Sequence, residues 1–298
     1  MTNKDMDARF LPAAKAIRAS DPRTFVQLLQ EDPGLAHGRS SQSHPTLMQC
    51  LALDGANLSR GTQKAMALAL VEAGSPLDEP LIATGSVGND VLAEILLDQG
   101  ATLNGKPDLL RGWTVVEEAL YWGHARLSQL LVERGATQHT LRIAAGLGNL
   151  AGLATHFDDH DELLEPSAHQ INWPFSFFPD DQQSAQPLDI LDNAMVYAAM
   201  GGHLDVVDFL LQRGAAINAW PKGFHYRGTV LHWAAIRGDR PMVEALLERG
   251  ANPALKDMSQ ELTAAQWARA GGNDALAANL DSKTTNDAAH KSNGAGSS

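Results

Sequence analysis

Apolar positions along this chain recur at helical spacing in short runs, and glycine cuts each run off. In VVDFLLQRG the apolar residues fall at i, i+3 and i+4, from Val206 and Val207 to Leu210 and Leu211. This is the pattern of an amphipathic helix that stops at Gly214. Just upstream lies an Ala-rich run ending in a Gly-polar pair, MVYAAMGGHLDVV. The same arrangement appears as EEALYWGHARL (117–127) and LHWAAIRGDRPMV (231–243). Small side chains let such a helix pack closely on a neighbour. Gly123, Gly202 and Gly238 are expected to end it in a left-handed turn, where only glycine escapes a steric cost.

The second half of the pattern repeats as well. LLDQGATLN (96–104) returns as LLVERGATQH (130–139), LLQRGAAINA (210–219) and LLERGANPAL (246–255). Gly100 to Gly135 spans 35 residues and Gly214 to Gly250 spans 36; the interval of 79 between Gly135 and Gly214 is close to two units plus an insertion. A single helix pair cannot bury its apolar face alone, so such units must stack.

At this level of detail the resemblance is specific. The segment 228–257, GTVLHWAAIRGDRPMVEALLERGANPALKD, closely resembles the ankyrin repeat, and 191–219 and 112–138 resemble it nearly as well. Weaker copies lie at 12–36, 46–78, 81–104, 140–157 and 262–280, so the resemblance covers about residues 10 to 281 less one insertion. It implies an all-α ankyrin-repeat solenoid of about seven to eight helix–turn–helix units. The expected organisation is N-terminal degenerate repeats over 10–157, an aromatic and Pro-rich insertion over 158–189, and C-terminal repeats over 190–281. The insertion carries Trp173, Phe175, Phe177 and Phe178 and is expected to fold back onto the stack. The tail 282–298 has no aromatic, Val, Ile or Leu and is expected to be disordered.

Composition narrows the function classes. With 44% hydrophobic and 19% charged residues the chain is globular in type. Its net charge of −12 opposes nucleic acid and anionic membrane surfaces, which require clustered Lys and Arg. The N-terminus is broken by charges and carries no secretory signal, and apolar runs such as Met66–Val71 fall far short of a membrane span of roughly 20 residues. One cysteine, Cys50, allows no intramolecular disulfide and no multi-cysteine metal site, and it reads as a small core residue in a cytoplasmic protein.

No catalytic signature, cofactor motif or metal motif is present. GLGNLAG (146–152) lacks the G-x-G-x-x-G spacing of a dinucleotide loop and sits in a repeat turn. HFDDHDE (156–162) reads as a solvated acidic loop, because metal ligands usually come from separate elements. The resemblance makes His124 and His203 structural residues that hydrogen-bond between neighbouring repeats, and His232 takes the same reading.

Aromatics carry the functional signal. All but Phe10 and Phe25 lie at Trp113 or beyond. In the family's register the binding face is lined by loop residues before the first helix and by the two residues before its closing glycine. That places Trp113, Tyr121, Trp122, Met200, His225, Tyr226, Arg227, Ile236 and Arg237 on it. Trp220 and Phe224 fit either this face or the core, and Trp267 fits a terminal cap. Exposed Trp, Tyr and Arg dominate binding hot spots, so the leading expectation is a non-enzymatic module binding a partner protein of neutral or basic surface. The alternative is a small-molecule or enzymatic pocket under the insertion, with His225 and Tyr226 near Asp189 or Asp192.

Overall fold

The computed structural model describes residues 3–41, 45–104, 114–137, 140–165 and 186–294. Among them every regular element is helical; the extended backbone amounts to two isolated bridges, Phe157 with Leu163 and Lys256 with Thr263. No described helix is long and apolar enough to cross a membrane.

The chain divides into two compact units, 1–137 and 138–298. The first contains α1 (Asn3–Arg18), α2 (Pro22–Glu31), α3 (Leu47–Asp54), α4 (Arg60–Glu72), α5 (Asp78–Val87), α6 (Asp90–Asp98), α7 (Val115–Tyr121) and α8 (Ala125–Glu133). They come as successive helix–turn–helix pairs. α1, α3, α5 and α7 pack in series, as do α2, α4, α6 and α8. The second unit contains α9 (Leu141–Gly146), α10 (Leu150–Ala154), α11 (Pro187–Gly201), α12 (Leu204–Gln212), α13 (Val230–Ile236), α14 (Arg240–Glu248), α15 (Ala264–Ala270) and α16 (Asp274–Gly294). Here α9, α11, α13 and α15 form the series. The division therefore falls at 137/138, and α9 and α10, grouped by sequence with the N-terminal copies, pack with the C-terminal ones.

Local chemistry accounts for the short helices. Thr46 with Gln49, Thr114 with Glu117, and Thr263 with Gln266 form reciprocal capping boxes at the starts of α3, α7 and α15. Second helices open on Asn or Asp: Asn89, Asn149 and Asp239 each accept from the backbone N–H three residues on. The expected glycine stops are left-handed, with φ of 74° at Gly123, 79° at Gly202, 70° at Gly238 and 96° at Gly214. Leucines and methionines such as Leu47, Met48, Leu51, Met66, Leu70 and Leu92 are fully buried. Each contributes on the order of 2 kcal/mol of transfer free energy.

Two further devices tie one pair to the next. The residue opening a second helix reaches back to the carbonyl end of the preceding first helix: Asn89 Nδ2 donates to Ala52 O at 3.0 Å, His124 Nε2 to Ser86 O at 3.1 Å, and Asn273 Nδ2 to Ile236 O at 3.1 Å. His203 lies against Gly148, where an added Cβ would sit 2.5 Å from its Nδ1. The loops are tied by a carboxylate or amide oxygen accepting a backbone N–H: Asp78 from Thr102, Asn104 from Thr137, Asp192 from Ala216, and Asn218 from Asn252, at 2.7 to 2.8 Å.

Of the expected insertion 158–189, residues 166–185, including Trp173, Phe175, Phe177 and Phe178, lie outside the described residues. Residues 158–162 form an exposed acidic turn in which Asp158 accepts from the backbone of His160 and Glu162 and Asp161 pairs with Arg213. From Pro187 the chain is already helical. The tail from Ser282, expected to be disordered, begins within α16, which runs to Gly294. Residues 282–293 contain neither Gly nor Pro to break a helix, and Thr284 Oγ1 bonds back to Leu280 O.

Two left-handed glycines separate strain from space. At Gly250 nothing lies within 4 Å of an added Cβ. Gly250→Ala is expected to lower the unfolding free energy by about 1 kcal/mol, the cost of the left-handed backbone alone. Gly148→Ala must also displace the His203 ring and is expected to cost at least about 2 kcal/mol, both measured by urea unfolding.

Candidate functional site

Residues 214–228 form a loop between α12 and α13, and 251–263 form the equivalent loop between α14 and α15. The two are joined directly. Trp220 Nε1 donates to Lys256 O at 2.8 Å, Met258 N to Arg227 O at 3.1 Å, and Arg227 N to Ser259 Oγ at 3.1 Å.

Behind these loops aromatic rings run in continuous contact. Tyr197 on α11 meets Phe224 at 5.7 Å between centroids, and Phe224 meets Trp233 at 5.0 Å. Trp267 on α15 stands edge-on to Trp233 and His232 at 5.2 Å each and to Tyr226 at 6.0 Å. Gly228 makes room for this: a Cβ there would lie 2.8 Å from Trp267 Cη2.

Asp257 fixes the arrangement. Its Oδ1 accepts from the N–H groups of Ser259 and Gln260, and its Oδ2 from Leu262 N and from Trp267 Nε1 at 2.8 Å. Burial acts to raise its pKa, but these donors outweigh it and hold the carboxyl below the usual 3.8. His232, fully buried, accepts Thr229 N–H at Nδ1 and donates from Nε2 to Leu262 O at 3.0 Å. Those two bonds select one neutral tautomer, and burial lowers its pKa from 6.5 accordingly.

What reaches the surface here is apolar: Trp220 is 39% exposed, Tyr226 46% and Met258 54%. His225, Arg227 and Ile236 are half-buried beside them, and Arg237 is exposed. Burial lowers the pKa of His225. The two carboxylates considered as its partners hold the loop instead, Asp189 through Lys222 Nζ at 3.0 Å and Asp192 through the Ala216 amide.

In the first unit, Trp122 is 44% exposed. Its Nε1 donates to Glu118 Oε1 at 2.9 Å, and Ser86 Oγ donates to the same oxygen at 2.7 Å. Glu118 is buried and is admitted by Gly85, where a Cβ would lie 2.7 Å from Glu118 Cγ. With its N–H engaged, the indole presents carbon surface. Trp113 lies outside the described residues.

Two residues placed on the binding face by the register are corrected. Tyr121 and Met200 are buried, 2% and 5% exposed. The left-handed glycines explain it. Tyr121 and Met200 each stand two residues before one, still within the helix, and turn inward, whereas Trp122 and Arg237 stand one residue before and turn outward. Met258 was missed, since nothing in SQELT or LKDMS marks a methionine as surface-bound.

Cys50 is half-buried on α3, and burial raises its thiol pKa. Among the described residues no group of three or more His, Cys, Asp or Glu is placed to hold a metal ion. A cleft of about 440 Å3 lies between α6 and α8, but its carboxylates are matched: Asp90 by Arg126, Glu94 by Arg60 and Arg134, and Glu133 by Gln129.

Comparison with known proteins agrees with the helix pairs and their glycine stops. A family model described as ankyrin repeats matches residues 179–257 in three copies. The chain carries ankyrin repeats over that stretch. Its repeats are also similar to part of palmitoyltransferase ZDHHC13 from Homo sapiens and from Pongo abelii, each 41% identical over 61 residues, which is 20% of this chain. The match spans about a tenth of those relatives. Ankyrin repeats are in general protein–protein interaction modules.

Asp257→Ala, which leaves four donors without their acceptor, is expected to cost about 3 kcal/mol near pH 7. Because the folded carboxyl titrates below 3.8, that difference should persist above about pH 4 and shrink as pH falls through the lowered value. Urea unfolding of both forms across pH 2.5–7 measures it.

Proposed function

We propose that this chain is a non-enzymatic interaction module that binds a partner protein through the loop face of its C-terminal repeats. The observation that carries the reading is the set Trp220, Tyr226 and Met258: three large apolar side chains left exposed on adjoining loops whose backbones are tied together. The exposed parts of these side chains leave apolar area uncovered, and Trp and Tyr are the residue types that anchor interfaces. Its rigidity is an advantage, since little side-chain and loop entropy remains to be lost on docking. Arg227, Arg237, Ile236 and His225 border the set, and Trp122 offers a separate anchor in the first unit.

The eight helix pairs among the described residues are counted on this reading as eight repeats. The partner is a protein of neutral or basic surface. The charge of −12 sets the long-range field that steers approach, while the docked contact centres on the apolar Trp220, Tyr226 and Met258 with Arg227 and Arg237 at its border. A cytoplasmic setting accords with the lone, half-buried cysteine.

Affinity capture from native lysate tests the reading. A protein retained by the wild type should bind a Tyr226→Ala/Met258→Ala variant, which keeps the Trp220 tie between the loops, at least tenfold more weakly, with the variant's helical content unchanged by circular dichroism. Retention by both forms alike would move the interface elsewhere. For a basic partner the association rate should fall as salt rises, which stopped-flow measurement between 20 and 500 mM salt would show.

A further inference from the structure

Three side chains on one face of α11, at i, i+3 and i+4, hold the loop that carries Trp220 and Tyr226. Asp189 Oδ2 pairs with Lys222 Nζ at 3.0 Å, Asn193 Nδ2 donates to Lys222 O at 2.7 Å, and Asp192 Oδ1 accepts the Ala216 amide at 2.7 Å. A comparable tie in the first unit joins Asp7 to Ser41, and there the side-chain and backbone bonds from Ser41 lower the carboxyl's pKa. Asp192 differs because it is 8% exposed. Burial, countered by the Ala216 bond and reinforced by neighbouring Asp189, pushes it up to about 6.

The loop and the helices packed on α11 bring other charged or titratable groups: Lys222, His225 and Arg227 from the loop, Arg142 from α9, Asp205 and Asp208 from α12, His232 and Arg237 from α13 and its end. Asp208 is paired with Arg249, and Lys222 with Asp189. The charge acting on Asp192 is that of Asp189. A neutral carboxyl keeps Oδ1 as an acceptor for Ala216 at no cost of a buried charge, whereas the ionised form carries that cost and repels Asp189.

We propose that the 214–228 loop is a proton-responsive element, whose hold on α11 tightens when Asp192 takes up a proton and loosens when Asp192 ionises. On the reading that this loop is the binding surface, protonation regulates how firmly Trp220 and Tyr226 are kept in place. The sign follows from linkage. An opened loop returns Asp192 to solvent and its ordinary value of 3.8, so the closed loop binds the proton more tightly and acidification from pH 7 favours closure. His225 and His232, both lowered by burial, act in the opposite sense. The Asp192 contribution must therefore be read against a variant that retains both histidines.

Asp192→Asn keeps an oxygen acceptor and does not titrate. Native-state hydrogen exchange of the Ala216 amide, followed by NMR on the full chain at pH 5, 6 and 7 and corrected for intrinsic rates, gives the opening constant of each form. The ratio of wild-type to variant opening is expected to rise about tenfold from pH 5 to pH 7. A flat ratio overturns the proposal, and so does an equal rise at the Val243 amide in α14, which would make the effect global. Should the variant fold poorly, a carboxyl-carbon titration of the wild type decides: a midpoint near 6 shared by Asp192 and the Ala216 amide supports the proposal, and a midpoint near 4 overturns it. None of these readouts involves a partner. A failed capture experiment leaves this device standing, and a flat exchange ratio leaves the interaction reading standing.

Discussion

The left-handed glycine that follows α5, α7, α9, α11, α13 and α15 is the constraint on which the rest depends. It reverses the chain within one residue, which sets the second helix against the first. It also decides which side chain turns into the stack and which turns out. Because Gly123, Gly202 and Gly238 all adopt this conformation, the residues before them fall into fixed roles. The residue opening the second helix is brought within reach of the preceding pair's last carbonyls, and that is where Asn89, His124 and Asn273 donate. Helix packing, surface presentation and the ties between pairs thus follow from a single backbone requirement.

Buried carboxylates perform the finer organisation. Asp257 gathers four donors, one of them an indole, and thereby seats the ring against which Tyr226 rests. Glu118 does the same for Trp122 with help from a serine on the preceding pair. Glu118 orients an exposed indole directly, and Asp257 orients a buried one on which the exposed Tyr226 ring rests. The exposed apolar surface is accordingly part of the hydrogen-bond framework rather than a loose fringe on it.

Much of this was legible in the sequence, because glycine punctuation and helical spacing are local signals. The helix pairs, the left-handed stops and the linking role of His124 could be read without coordinates. The side a residue faces near a helix end was harder. One residue of register separates Tyr121 from Trp122, and the family's register assigned both residues before the closing glycine to the same surface. Met200 was misplaced for the same reason, since two consecutive glycines follow it and only the second is left-handed. The exposure of Met258 depends on how two loops meet, which no local pattern records.

Asn218 illustrates a wider consequence of the loop ties. It accepts the Asn252 amide and donates to the Gly250 carbonyl, so one side chain serves two backbone groups of the following unit. Its counterpart Asp192 serves Ala216 of the unit containing Asn218. Each unit therefore supplies what its successor lacks and takes from its predecessor what it needs. A gene encoding such a chain can lengthen or shorten by whole periods and still leave every junction with a donor and an acceptor. A deletion of half a period would strand both. The tie thus fixes the phase of the repeat and is indifferent to the number of copies.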